Sequence, residues 1–199
     1  MESPRDAKVS TVVQIAADGD LLLIVGPEET RIRVHSTSLM AASKPFSVML
    51  GPHWKEGQNK HDHDEHDREK PFELLLPDDN AVALKMICFI LHHQNREVPR
   101  SLTARDILAI AVAADKYDCL DALRFASESW LRTSGDEAGN LMLLTAAAYI
   151  FQDAQAFKEI TRALIIYYDG SYLALSLEEV ESFMPWRVFC KSRNDRLNI

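Results

Sequence analysis

The chain has 199 residues, 47% of them hydrophobic and 26% charged, a balance that suits an ordinary globular protein. That length accommodates one domain, or one domain with a helical appendage, and allows roughly 70% of the unfolded chain's surface to be buried. With 30 acidic against 22 basic residues the net charge is −8, which disfavours non-specific binding to phosphate backbones.

Met1 to Ser10 is polar, and Val12 to Ala16 is a short apolar run that fits either a first strand or a hydrophobic arm. Asp18-Gly19-Asp20 signals a turn, and Leu21 to Val25 behind it reads as a buried strand. Gly26-Pro27 breaks that run. Thr30 to Val34 then alternates, with Ile32 and Val34 on one face, so the two segments predict a hairpin. Ser36 to Ala42 suits a short helix, and Pro45 sits in the first turn of the next, Pro45 to Leu50.

Gly57 to Lys70 carries the most biased composition in the chain, with no apolar residue before Pro71, and reads as a solvated loop. Phe72 to Leu76 is a third short strand. From Asn80 the pattern turns helical: Leu84, Ile87, Cys88 and Leu91 fall in register over Asn80 to His93. Thr103 and Asp106 form a capping-box variant that opens a helix through Tyr117, and Leu120 to Leu131 follows. A polar joint, Thr133 to Gly139, leads to helices over Asn140 to Phe151 and Phe157 to Tyr168. The latter carries the cleanest apolar stripe, and Ser176 to Met184 predicts a last short helix before Pro185. A small sheet followed by at least five helices is an α+β arrangement.

Cys88, Cys119 and Cys190 are odd in number and far apart, which points to a reducing compartment and a cytoplasmic or nuclear location. The charged first residues do not form a signal peptide, and the apolar runs fall short of the ~18 residues that cross a bilayer. His61, His63 and His66, with Asp62, Asp64 and Glu65, have metal-ligand chemistry, but no apolar neighbours to support a second shell, so no metal site is expected there. His92 and His93 are expected to serve at a helix end. Cys119 lies in no nucleophile signature, and seven glycines form no phosphate-binding loop. No catalytic residue and no cofactor is expected.

Several segments together resemble the BTB/POZ domain family, especially fungal members with an Asp-Gly-Asp start. They are Asp18 to Gly26, Ile32 to His35, Leu39, Ala42 to Phe46, Met49, Trp54 to Gly57, Leu75 to Asp79, Ala113 to Tyr117 and Leu120. The resemblance implies a BTB/POZ fold over 18–132, a small, mostly three-stranded sheet flanked by a helical cluster. It also implies an N-terminal arm over 1–17, a polar insert over 57–71 and a helical extension over 140–190.

It further implies a non-enzymatic protein–protein interaction module with no small-molecule, nucleic-acid or membrane partner. As an adaptor, such a module would bind a cullin ubiquitin-ligase scaffold through Phe46, Met49, Trp54 and Glu56, the Trp54-Lys55-Glu56 run matching the family's hydrophobic-x-Glu signature. The alternative is a homodimer that tethers partners in transcriptional regulation without a ligase role, joined through Ser36, Leu39 and Met40. Asp20 and His35 are expected to be structural, hydrogen-bonding groups beside the hairpin. Where the repressor members carry a basic residue after the matching His, this chain has Ser36, so a repressor-style corepressor pocket is not expected.

Overall fold

The computed structural model describes residues 12–51, 70–132 and 138–168. They form seven helices and a mixed four-stranded sheet, an α+β fold. The contacts group the chain into two compact units, Met1–Asn95 and Arg96–Ile199, a division that runs inside the expected 18–132 segment.

The first unit contains β1 (Val13–Gln14), β2 (Leu21–Val25), β3 (Thr30–Val34), α1 (Ser36–Ala42), α2 (Lys44–Met49), β4 (Phe72–Leu76) and α3 (Ala81–Leu91). The sheet order is β1-β3-β2-β4. β2 and β3 are the expected antiparallel hairpin, with Leu21 opposite Val34 and Leu23 opposite Ile32. β4 runs parallel to β2, and a parallel neighbour requires a crossover, which here includes α1 and α2. The sheet has four strands rather than three because Val13 and Gln14 pair in parallel with Ile32 and Arg33. Further bonds hold that short strand: Ile15 and Ala16 both donate to Arg33 O, and Gln94 Nε2 donates to Ile15 O at 2.5 Å.

β2 is buried along its whole length, although a strand sends alternate side chains to opposite faces. Leu21, Leu23, Ile32, Val34 and Leu74 fill one face. On the other, Arg31 and Glu73 approach to 3.6 Å from the strands flanking β2, so their aliphatic stems shield Leu22 and Ile24. The ion pair is half-exposed and adds no more than about 1 kcal/mol by itself. Gly26 ends β2 at φ 71° and donates to Leu76 O, and a Cβ at this position would lie only 3.0 Å from Asp79 O. That left-handed backbone favours glycine.

The second unit contains α4 (Ala104–Lys116), α5 (Leu120–Leu131), α6 (Ala138–Ile150) and α7 (Ala154–Tyr167). Its centre is α6, buried on every side from Leu141 to Ala148 and packed against both α4 and α7. Sequence periodicity favours α7 as the clearest amphipathic helix, yet only Ile160 and Leu164 of its stripe are fully buried. α7 also starts at Ala154 rather than Phe157, because the Asp153 carboxylate accepts the Ala156 N–H and caps the helix there. Thr103 caps α4 in the same way, through the Asp106 N–H. Trp130, 1% exposed, donates its indole N–H to Pro99 O at 2.8 Å and so ties α5 to the segment leading into α4.

Three helices end alike. After α3, α4 and α6 the chain turns through His93, Asp118 and Gln152, all at positive φ. In each case the following N–H reaches back to the last turn: Gln94 to Phe89 O, Cys119 to Ala114 O and Asp153 to Ala148 O. This is a Schellman closure built without glycine.

Candidate protein-interaction surfaces

The Asp18-Gly19-Asp20 turn has a defined structural task. Gly19 lies against the backbone of β3: a Cβ there would meet the Val34 carbonyl, with Val34 C at 2.7 Å. Its own carbonyl accepts Arg33 Nε at 2.9 Å. The close approach brings the Asp20 carboxylate onto the start of α1, where it accepts the Ser36 N–H at 2.8 Å and the Ser36 hydroxyl at 2.5 Å. Ser36 is fully buried, so this carboxylate satisfies two donors that water does not reach.

His35 precedes α1 without capping it through its own side chain. Its N–H donates instead to His92 Nε2, while His92 Nδ1 lies 2.8 Å from Cys88 O. An acceptor at Nε2 and a carbonyl at Nδ1 require the neutral ring with its proton on Nδ1. Burial holds the His92 pKa below its ordinary value, and the nearby His35 and His93 act in the same direction, against the Cys88 carbonyl, which favours the charged form. The His35 ring stacks on His92 at 6.0 Å and lies 3.4 Å from Asp18 Oδ1.

The residues expected to meet partners divide sharply. Phe46 is 1% exposed and Leu39 is fully buried, so both belong to the interior of the first unit rather than to a contact surface. The reason is helical spacing: Phe46 and Leu50 are four apart and both face inward. Met40 and Met49 are half-buried. The outward side of α2 is instead marked by Val48, 44% exposed, which the spacing of Phe46 and Leu50 would have revealed in the sequence. Thr37 and Ala41 are the exposed residues of α1. Trp54, Glu56 and the His61–His66 cluster lie outside the described residues.

In the second unit, a groove of about 930 Å³ runs between α5 and the α6–α7 turn with the first half of α7. Of its apolar lining residues, Leu131 and Ile160 are buried and Phe151 is half-buried. Its charged lining sets five carboxylates, Asp118, Asp121, Glu128, Asp153 and Glu159, against Arg124 and Arg132. Glu128 and Arg132 approach to 3.7 Å one helical turn apart.

Cys88 and Cys119 are buried and not joined in a disulfide, and burial, with the adjacent Asp118 charge, pushes the Cys119 pKa up to about 12. A thiol held neutral is a poor nucleophile. No group of three His, Cys, Asp or Glu with metal-holding geometry occurs among the described residues, and none of their helices is long and apolar enough to cross a membrane. No family model matches the chain, and a search of curated proteins returns no match.

Proposed function

We propose that the protein is a non-catalytic interaction module of the BTB/POZ type, acting as an adaptor on a cullin ubiquitin-ligase scaffold. The observation that carries this reading is the joint between the hairpin and α1. The residues on which the family resemblance rests are the ones with specific work there: Gly19 against Val34, and Asp20 on both donors of Ser36. A sheet followed closely by two short helices, whose outer residues include Val48 and Met49, offers contact area rather than a cleft for chemistry. The neutral, buried Cys119 thiol agrees with a non-enzymatic role.

The homodimeric alternative would use α1. Its exposed residues, Thr37 and Ala41, are small and give little apolar area for a stable self-association, so the adaptor reading is preferred. The test is a pull-down of purified cullin by the full chain, with Trp54→Ala and Val48→Glu as variants. The adaptor reading expects a cullin to be retained and both variants to weaken retention while melting like the parent. A folded chain that retains no cullin removes it, and a dimer by light scattering that Met40→Glu dissociates would favour the alternative.

A further inference from the structure

β4 is the last strand in the order β1-β3-β2-β4, so one of its edges is open among the described residues. The ladder on its other side decides which groups that open edge carries. Phe72 N–H donates to Asp20 O at one end of the β2–β4 pairing, and Gly26 N–H donates to Leu76 O at the other, both at 2.9 Å. Alternate residues make the bonds of a parallel ladder, so Phe72, Leu74 and Leu76 turn their N–H and C=O groups towards β2. Glu73 and Leu75 turn theirs outward, where neither has a backbone partner among the described residues. Pro71 and Pro77 bracket the pair and have no N–H to give. The open edge therefore presents two donors and two acceptors, beside a Leu75 side chain that is 67% exposed.

An open edge is a template for another strand. Here the run Lys70-Pro71-Phe72-Glu73-Leu74-Leu75-Leu76-Pro77-Asp78 is nearly symmetric in kind about Leu74. Proline answers proline, apolar Phe72 answers Leu76, and the exposed ends, Lys70 and Asp78, carry opposite charges. A strand with that symmetry complements an antiparallel copy of itself.

We propose that two copies of the chain pair β4 with β4, antiparallel about Leu74, and so continue the sheet across a two-fold axis. Glu73 of each copy then exchanges both backbone bonds with Leu75 of the other, and all the outward groups of both strands are used. Phe72 lies beside the second copy's Leu76, and Lys70 comes level with the second copy's Asp78 at both ends. The neighbouring registers lose this match, setting Glu73 against Glu73 or Phe72 against Asp78. The contact between two five-residue strands is smaller than the about 1,200 Å² of a stable interface, so the dimer is reversible. It uses neither the cullin-directed residues nor α1, and stands apart from both readings of function.

Sedimentation velocity of the full chain, in a series reaching about 1 mM, reads this association. Leu75→Pro removes only an outward N–H, at an edge position where proline is tolerated, and Leu75→Glu sets like charges together at both contacts. Each is expected to raise the dissociation constant about tenfold or more, and Leu75→Glu, at an exposed site, to melt like the parent. Leu75→Lys faces the second copy's Glu73 and should dimerise at least as well as the parent, whereas Met40→Glu should change nothing. With Cys190→Ser as background, a mixture of Glu73→Cys and Leu75→Cys chains should oxidise chiefly to the mixed dimer, because the paired Cα atoms would lie about 5.5 Å apart. A chain still monomeric at about 1 mM would overturn the proposal and leave the edge to a foreign extended segment. So would a dimer indifferent to Leu75→Pro, equal losses from Leu75→Lys and Leu75→Glu, or mixed disulfides no more abundant than the like-paired ones together.

Discussion

The His35 backbone N–H donates to Nε2 of His92 at 3.0 Å, joining the start of α1 to the end of α3 through an unprotonated ring nitrogen. Protonating that nitrogen replaces an acceptor with a second donor, so the bond fails. Because burial lowers the native pKa below the ordinary 6.5, native and unfolded states both leave the ring neutral above that value. Below it the unfolded chain binds the proton first, and stability is lost as pH falls from 6.5 through the native value. Urea titrations across this range should show a steeper decline for the parent than for His92→Gln, which keeps an acceptor that does not titrate. Equal slopes would contradict the assignment.

Asp20 supplies the only carboxylate seen on the two buried donors of Ser36 among the described residues. Asp20→Ala is expected to destabilise the fold by about 3 kcal/mol, since hydrogen bonds to a charged acceptor are lost and buried donors are stranded. Asp20→Asn should lose less. Gly19→Ala, which drives a Cβ into the Val34 backbone, should be comparably damaging. Denaturant midpoints check all three.

Gln152 occupies a left-handed position after α6 with φ 59°. Gln152→Gly removes the Cβ conflict of that conformation, offset by a more flexible unfolded chain, and is expected to stabilise the protein by up to about 1 kcal/mol. The same replacement at Ile150, inside the helix, should instead be destabilising. Thermal melting of the pair distinguishes a closure effect from a general effect of glycine.

Thr161 Oγ1 is buried without a hydrogen-bond partner among the described residues. Thr161→Val keeps the shape and removes the unsatisfied hydroxyl, so a gain of about 1 kcal/mol is expected. Thr161→Ser, which keeps the hydroxyl and deletes the methyl, should lose stability in the same assay.

The hairpin, β4 and α3 are legible in the sequence because turn residues bracket strongly apolar or alternating runs there. β1 is legible only as one of two alternatives, strand or arm, since two residues of strand have no periodicity and this one is held by Arg33 and by Gln94, the latter 79 positions away. The resemblance alone assigns Phe46 to a partner, and a six-residue helix is too short for its inward face to stand out unless Leu50 is counted with it. Periodicity underrates α6 because a helix buried all round loses the stripe that marks an amphipathic one. The groove is formed by α5 meeting a turn more than twenty positions downstream, and charge spacing within either segment gives no sign of it.

The parallel registration of β4 on β2 makes everything between Val25 and Phe72 a closed circuit, clamped where Leu21 faces Phe72 and Val25 faces Leu76. Doubling the length of such a circuit adds only about 0.6 kcal/mol of closure entropy. The His/Asp-rich stretch inside it is therefore a natural place to graft a foreign epitope or reporter sequence, because the clamp itself is made of residues that such a graft leaves untouched.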